Sequence, residues 1–198
     1  MRIAVLTFDG FNEIDSFVAS HILNRVPDRD WRAEITSDVA RVTSLYGVVV
    51  DAQQPLSFAR EADVVLVGSG LRSHEIANDS KLLATLGLDP DRQLIGSQCS
   101  GALILAGLGL LADMPVCTDA RTRPSVEAAG VEVLDQAFFA RGNVASAGGC
   151  LTAETLAAWV IWRLKGRDEA ERALRRVSPV GEEHASIERV LARIQPYV

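Results

Sequence analysis

The sequence predicts an α/β fold with one mostly parallel sheet and helices on both of its faces. Short apolar strands alternate along the chain with segments of helical periodicity. The predicted strands are apolar at nearly every position, as in Val64-Val65-Leu66-Val67, which is typical of parallel strands covered on both faces. No repeat, low-complexity segment or linker interrupts the 198 residues, so we expect one domain over residues 1–198.

Each element is predicted from its local pattern. Residues 3–8 read as a buried strand, 13–25 as a helix with a mostly apolar face, and 31–37 as a half-buried strand. The remaining predictions are a hairpin at 41–51, a helical turn at 58–61, strands at 63–67 and 94–95, helices at 73–86 and 102–111, strands at 116–118, 131–134 and 144–147, a short helix at 124–129, and helices at 152–164, 169–177 and 186–194.

Composition excludes several classes of partner. A net charge of −6 and a pI near 5.1 disfavour nucleic-acid binding, and no apolar run reaches the roughly 20 residues of a membrane helix. A strand that begins at Arg2 predicts no signal peptide and a cytoplasmic protein. The three cysteines are widely spaced, without a C-x-x-C or His/Cys cluster. We therefore expect reduced thiols, no metal site and no cofactor.

The segment from Leu94 to Leu103 organises the predicted chemistry. A strand is followed by Gly96, Ser97, Cys99, Ser100 and Gly101 and then by an apolar helix. This order resembles a nucleophile elbow, in which small neighbours let the chain turn sharply beneath an exposed nucleophile. The positive end of the helix is expected to favour the thiolate of the cysteine. The alternative is a small cysteine that only fills the core.

A cysteine nucleophile requires a group that handles protons. None of the three histidines follows a predicted strand directly; His74 lies shortly after one, at a helix start expected to face solvent. The acids Glu13 and Asp15 open the first helix, two residues apart, so they cannot share one face. We expect one to reach the thiol and the other to complement the helix dipole; the alternative is that each acid only complements the dipole. A carboxyl beside a thiolate would have to be protonated, with a raised pKa.

Two backbone N–H groups are candidate donors to a developing anion. The N–H of Ser100 lies at the predicted helix start, and the N–H of Gly70 follows the neighbouring strand. The Gly68-Ser69-Gly70 run is too short for a phosphate-binding loop and lacks the lysine of such loops.

Three segments resemble the ThiJ/PfpI family of the class I glutamine amidotransferase-like superfamily. Gln98-Cys99-Ser100-Gly101-Ala102 resembles its elbow, and the loop from Phe8 to Asp15 is similar to the isonitrile hydratase branch. The glycine pair Gly148-Gly149 resembles the start of the family's late helix. The resemblance implies a flavodoxin-like sheet, a homodimer and no metal.

Residue by residue, the resemblance implies Cys99 as nucleophile and Asp15 as the facing acid. It implies the N–H groups of Gly70 and Ser100 as anion donors, with the Ser100 hydroxyl in the place of a threonine that could contact substrate. Ser69 stands where the family's loop has its first glycine and is included among the oxyanion or substrate residues.

The sequence also departs from the family. Cys117-Thr118-Asp119 stands where several branches place a histidine, which disfavours protease, deglycase and glyoxalase activities. Cys150 replaces an aliphatic residue and is interpreted as packing, with a second redox thiol as the alternative. Glu13, Asp119 and His74 are secondary site candidates, and the expected pocket walls are Phe11, His74, Arg121 and Phe138.

Two functions follow from these residues. The first is a hydratase or carbon–nitrogen lyase in which Cys99 attacks a small electrophile such as an isonitrile, giving an N-substituted formamide. The alternative is a redox or small-ligand sensor without turnover, in which Cys99 is oxidised to sulfinic acid.

Overall fold

The computed structural model describes residues 1–198 and contains a seven-stranded sheet, a two-stranded hairpin and eight α-helices. The strands are β1 (Arg2–Leu6), β2 (Arg32–Ser37), β3 (Arg41–Thr43), β4 (Val49–Asp51), β5 (Gln54–Pro55), β6 (Val64–Val67), β7 (Leu94–Gln98), β8 (Phe138–Arg141) and β9 (Val144–Ala147). The helices are α1 (Glu13–Leu23), α2 (Ser73–Ala77), α3 (Ser80–Leu86), α4 (Gly101–Gly107), α5 (Arg123–Ala128), α6 (Ala153–Lys165), α7 (Arg167–Arg175) and α8 (Glu183–Ile194), with 3-10 turns at Leu56–Arg60, Cys150–Thr152 and Gln195–Tyr197.

The large sheet has the order β5-β2-β1-β6-β7-β9-β8 and is parallel except for the last pair. The predicted mostly parallel sheet is therefore confirmed. The register aligns Leu6 of β1 with Val67 of β6, and Val67 with Ser97 of β7. Because these strands end at the same edge, the loops that follow them meet there, which brings the predicted site segments together.

Helices cover both faces of the sheet. One face is packed by α1, α6, α7 and α8 around a core that includes Trp159, and the other by α2, α3 and α4 around Ile104. The central strands β1, β6 and β7 are buried along almost their whole length, which explains their unbroken apolar sequences. None of the helices combines the length and hydropathy that a bilayer-spanning segment needs.

Several predicted boundaries are wrong. The helix expected at 73–86 is two helices, because the Asp79 side chain accepts the N–H groups of Lys81 and Leu82 and starts a new helix. The strand expected to end at Ile95 continues to Gln98. The helix expected to reach residue 111 ends at Gly107.

The strand pair near residue 140 also differs from the prediction. Segments 116–118 and 131–134 form only an isolated bridge between Val116 and Val133. The strand that precedes the turn at Gly142 is β8, which pairs antiparallel with β9. Phe138 of β8 packs against aromatic rings of the C-terminal helices, and this long-range contact leaves no local signal in the sequence.

Candidate functional site

Cys99 occupies a strained turn directly after β7. Its φ of 47° makes it the only residue other than glycine in the left-handed region. Its N–H donates to the Ala147 carbonyl at 2.9 Å, and the Thr118 hydroxyl donates to its carbonyl at 2.8 Å. A Cβ at Gly101 would lie 2.4 Å from the Val67 carbonyl oxygen, so only glycine fits there. Strand, strained cysteine and close-packed helix together form a nucleophile elbow.

Asp15 approaches this cysteine from α1. Asn12 caps the helix by accepting the N–H of Ile14, which places Asp15 in the first turn. The Asp15 side chain is only 2% exposed, and its Oδ2 accepts a hydrogen bond from the Ser69 hydroxyl at 2.5 Å. Its Oδ1 is buried and accepts no hydrogen bond. One carboxyl oxygen of Asp15 and the sulfurs of Cys99 and Cys150 all lie within 4.8 Å of one another.

The ionisable groups of this cluster are held towards their neutral forms. Burial raises the pKa of Asp15, although the Ser69 hydroxyl and the nearby thiols partly offset the rise. Burial and then the charge of Asp15 raise the pKa of the Cys99 thiol. This direction is opposite to the lowering expected from the helix end. A protonated Asp15 would remove the contribution of its charge, so the cysteine thiolate and the acid form of Asp15 favour each other.

Four residues that sequence reasoning did not assign contribute to the cluster. Asn12 Nδ2 donates to Cys150 Sγ at 3.2 Å, and Gln98 Nε2 lies 3.7 Å from Cys99 Sγ. The backbone N–H of Gly149 acts to lower the pKa of the Cys99 thiol. Cys150, for which the sequence predicts packing with a second redox thiol as the alternative, lies in this cluster. The glycine pair before Cys150 was the one sequence signal that pointed to this segment.

The cluster lies at the wall of an open pocket of about 350 Å³. Arg121 is the only lysine or arginine among its lining residues. A cavity of this size accommodates a small molecule. The lining residues are Asn12, Leu45, Ser69, Gly70, Leu71, His74, Cys99, Ser100, Asp119, Arg121, Thr122 and Cys150.

The two expected anion donors differ in whether their N–H groups already have a hydrogen-bond acceptor. The N–H of Gly70 donates to the Ser100 hydroxyl at 3.2 Å, and that hydroxyl also bonds to the Ser73 hydroxyl at 2.8 Å. The N–H of Ser100 has no acceptor within the chain. The Ser100 N–H is therefore open to a ligand, whereas Gly70 must exchange its present partner to bind one.

Of the three secondary candidates, Asp119 and His74 line the pocket and Glu13 does not. Glu13 binds the Ser44 hydroxyl and accepts the N–H of Tyr46, so it anchors the β3–β4 hairpin. Asp119 caps its own turn by accepting from the N–H and hydroxyl of Thr122, and its carboxylate lines the pocket. His74 is exposed and also lines the pocket.

Two of the four expected pocket walls are wrong. Phe11 is 1% exposed and packs edge-on against Phe17, and Phe138 is 3% exposed. Both rings therefore belong to the core, and Leu45 and Leu71 supply the apolar lining instead.

Solved structures with the same fold come from several organisms. Schizosaccharomyces pombe DJ-1 superposes with a TM-score of 0.77 at 16% identity, covering 90% of this chain and 100% of that chain. Oxidised Toxoplasma gondii DJ-1 gives a TM-score of 0.75 at 18% identity, with 88% and 96% covered. A cysteine-to-alanine mutant of a DJ-1 superfamily protein from Salmonella typhimurium gives 0.77 at 22% identity, with 89% and 98% covered.

No curated protein matches the chain in sequence. The sequence profile of the DJ-1/PfpI family, in contrast, matches residues 1–162, which include every strand of the large sheet and the whole cysteine–acid cluster. The fold, the elbow at Cys99 and this match agree, and the chain belongs to the DJ-1/PfpI family.

Proposed function

We propose that the protein is a cysteine-dependent hydratase acting on a small electrophile, with an isonitrile as the substrate class. The observation that carries the proposal is that the Cys99 sulfur lies within 4.8 Å of a carboxyl oxygen of the buried Asp15, whose pKa is raised. Such an acid can donate a proton to a carbon that gains electron density when a sulfur adds to it.

The first step adds the Cys99 thiol to the terminal carbon of the isonitrile. The sulfur–carbon bond forms while Asp15 gives its proton to that carbon and receives the thiol proton, which leaves a thioformimidate on Cys99. The Ser100 N–H is the open donor for negative charge that develops during addition.

The second step consumes water. Asp15 assists the attack of water on the thioformimidate carbon, and the nitrogen takes up a proton. Collapse of the tetrahedral adduct breaks the carbon–sulfur bond, returns the Cys99 thiol and releases an N-substituted formamide. The net reaction joins one isonitrile and one water.

Incubation with cyclohexyl isocyanide tests this proposal, with N-cyclohexylformamide measured by mass spectrometry. We expect product from the unmodified chain and from Cys117→Ala, and none from Cys99→Ala. An unmodified chain that releases no formamide from any isonitrile of suitable size would overturn the hydratase assignment.

A sensor without turnover is the second candidate. It is favoured by the oxidised state in which the similar Toxoplasma gondii protein was solved. A stable gain of two oxygens on Cys99 after mild peroxide, together with no turnover of isonitriles, would support this role.

The remaining expectations are proposals as well. We propose one domain over residues 1–198 that works as a cytoplasmic homodimer on a small molecule, without metal, cofactor or nucleic acid. Light scattering during size-exclusion chromatography measures the dimer directly, and a monomeric mass at micromolar concentration would contradict it.

A further inference from the structure

Cys150 is a second thiol at the Cys99 pocket and has no part in the hydration steps. Its sulfur lies within 4.8 Å of the Cys99 sulfur, and both cysteines are free. A disulfide requires a sulfur–sulfur distance of about 2.05 Å, so the two atoms need to approach by no more than about 3 Å.

The segment around Cys150 can supply that approach. Cys99 is fixed by backbone hydrogen bonds on both of its sides. Cys150 instead begins a single 3-10 turn after Gly149, whose φ is 87° and around which there is open space. Leu151, the next residue, is 76% exposed. No residue of this turn is buried, so rotation of the Cys150 side chain with a small shift of the turn moves no core side chain of the turn itself.

Polar groups around the two sulfurs suit thiol exchange. Asn12 Nδ2 donates to Cys150 Sγ, and Gln98 Nε2 faces Cys99 Sγ. One carboxyl oxygen of Asp15 lies within 4.8 Å of both sulfurs, and the Oδ1 atom of this carboxyl is buried without a hydrogen-bond partner. A carboxyl at this distance can relay a proton, giving one to the leaving hydroxide and taking one from the attacking thiol.

We propose that Cys99 and Cys150 form a redox pair which a peroxide converts to an intramolecular disulfide. The peroxide transfers one oxygen to Cys150, the more exposed sulfur, giving a sulfenic acid and water or an alcohol. The Cys99 sulfur then attacks the Cys150 sulfur, the S–S bond forms, and the displaced hydroxide leaves as water with the Cys99 proton. Two thiols lose two electrons and two protons, and the peroxide is reduced.

Disulfide formation would make the oxidation of Cys99 reversible. The disulfide removes the Cys99 nucleophile, and a dithiol reductant restores both thiols, whereas a sulfinic acid on Cys99 would not be restored in this way. The chemistry of the pair is independent of the proposed hydratase function, because its product is detected on the protein itself.

The test treats the reduced full-length protein with an equivalent of hydrogen peroxide and follows intact mass, free thiols and tryptic peptides. We expect a loss of about 2 Da, two of the three thiols consumed, a peptide that links Cys99 to Cys150, and full reversal by dithiothreitol. Cys117→Ala is the matched control and should form the same link.

Two further variants separate the steps, with circular dichroism to verify their folding. Cys99→Ser should stop at a Cys150 sulfenic acid that dimedone traps, and Cys150→Ser should lose the cross-linked peptide completely and accumulate two oxygens on Cys99. The proposal is overturned if the unmodified chain gains two oxygens on Cys99 while Cys150 stays open to alkylation, or if the disulfide joins two chains.

Discussion

The Cys99 turn and the Cys117 segment each bury a thiol, and comparing them shows what makes a site. Cys99 is 3% exposed and Cys117 is fully buried, and burial raises the pKa of both thiols, that of Cys117 to about 11. Cys117 follows the isolated bridge at Val116 and lies outside the left-handed region, and its N–H donates to the Ser146 hydroxyl. Only Cys99 combines a left-handed backbone, a facing carboxyl and a pocket. Burial alone therefore does not distinguish a reactive cysteine from a core cysteine.

The largest expected contrast is between alanine variants of these two cysteines. Cys99→Ala should reduce formamide production below detection, because the bond-forming sulfur is removed. Cys117→Ala should retain turnover within about twofold and lose about 1 kcal/mol of unfolding free energy from the small cavity it leaves. Steady-state kinetics and urea unfolding measure the two effects. An equal loss of turnover in both variants would contradict the claim that only Cys99 takes part in the reaction.

The second contrast concerns the carboxyl that only the Cys99 turn possesses. Asp15→Asn should lower turnover by a factor on the order of 10² to 10⁴, because the amide cannot deliver the proton. Glu13→Gln is the matched control, since Glu13 is two residues away and contacts the hairpin. Its turnover should be nearly unchanged. A variant without Asp15 that keeps full activity would leave the acid no role in the chemistry.

The third contrast tests whether the strained turn depends on close packing. Gly101→Ala should cost about 1–3 kcal/mol, because its Cβ would meet the Val67 carbonyl at 2.4 Å, and turnover should fall as Cys99 shifts. Gly68→Ala, whose Cβ would lie 3.0 Å from the Ser16 hydroxyl, should cost less. Thermal unfolding and kinetics of both variants provide the measurement. A Gly101→Ala variant as stable as the unmodified chain would contradict this packing.

The smallest expected effect is the dependence of stability on pH. The pKa of Asp15 is raised in the fold above its ordinary value of 3.8, so its protonated form stabilises the fold. That contribution is complete below the unfolded pKa and is lost as pH rises through the folded pKa. The stability of Asp15→Asn relative to the unmodified chain should therefore increase as the pH rises above 3.8, the ordinary pKa of this group. Urea midpoints across this range test the sign, and a difference that does not change with pH would contradict the raised pKa.

Local patterns were sufficient for the central sheet and for the cysteine turn. Apolar runs such as Val64–Val67 report burial on both faces, and small residues around Cys99 report a sharp turn. The placement of Cys150 beside Cys99 could not be predicted in this way. The two residues are 51 positions apart in the chain, and the parallel pairing of β7 with β9, which leaves no periodic signal, brings them together.

The same limit applies to β8 and to the pocket walls. Phe138 packs against aromatic residues near the C-terminus, and these distant contacts cannot be recognised in the local sequence. The sequence therefore predicts a strand at 131–134, whereas the strand that forms is β8. The pKa direction of Cys99 was missed because the helix end is a local feature, whereas burial depends on the assembled fold. Sequence patterns thus located the cysteine turn, whereas the electrostatics of that turn depend on tertiary structure.

Asn12 illustrates how few substitutions the surroundings of the two cysteines tolerate without loss of an interaction. The oxygen of its side-chain amide accepts the Ile14 N–H at the start of α1, and the nitrogen donates to the Cys150 sulfur. Replacement by aspartate would keep the first interaction and set a like charge against the thiolate, and replacement by alanine would discard both. A substitution at Asn12 that changes the capping of α1 therefore also changes the surroundings of the Cys150 sulfur.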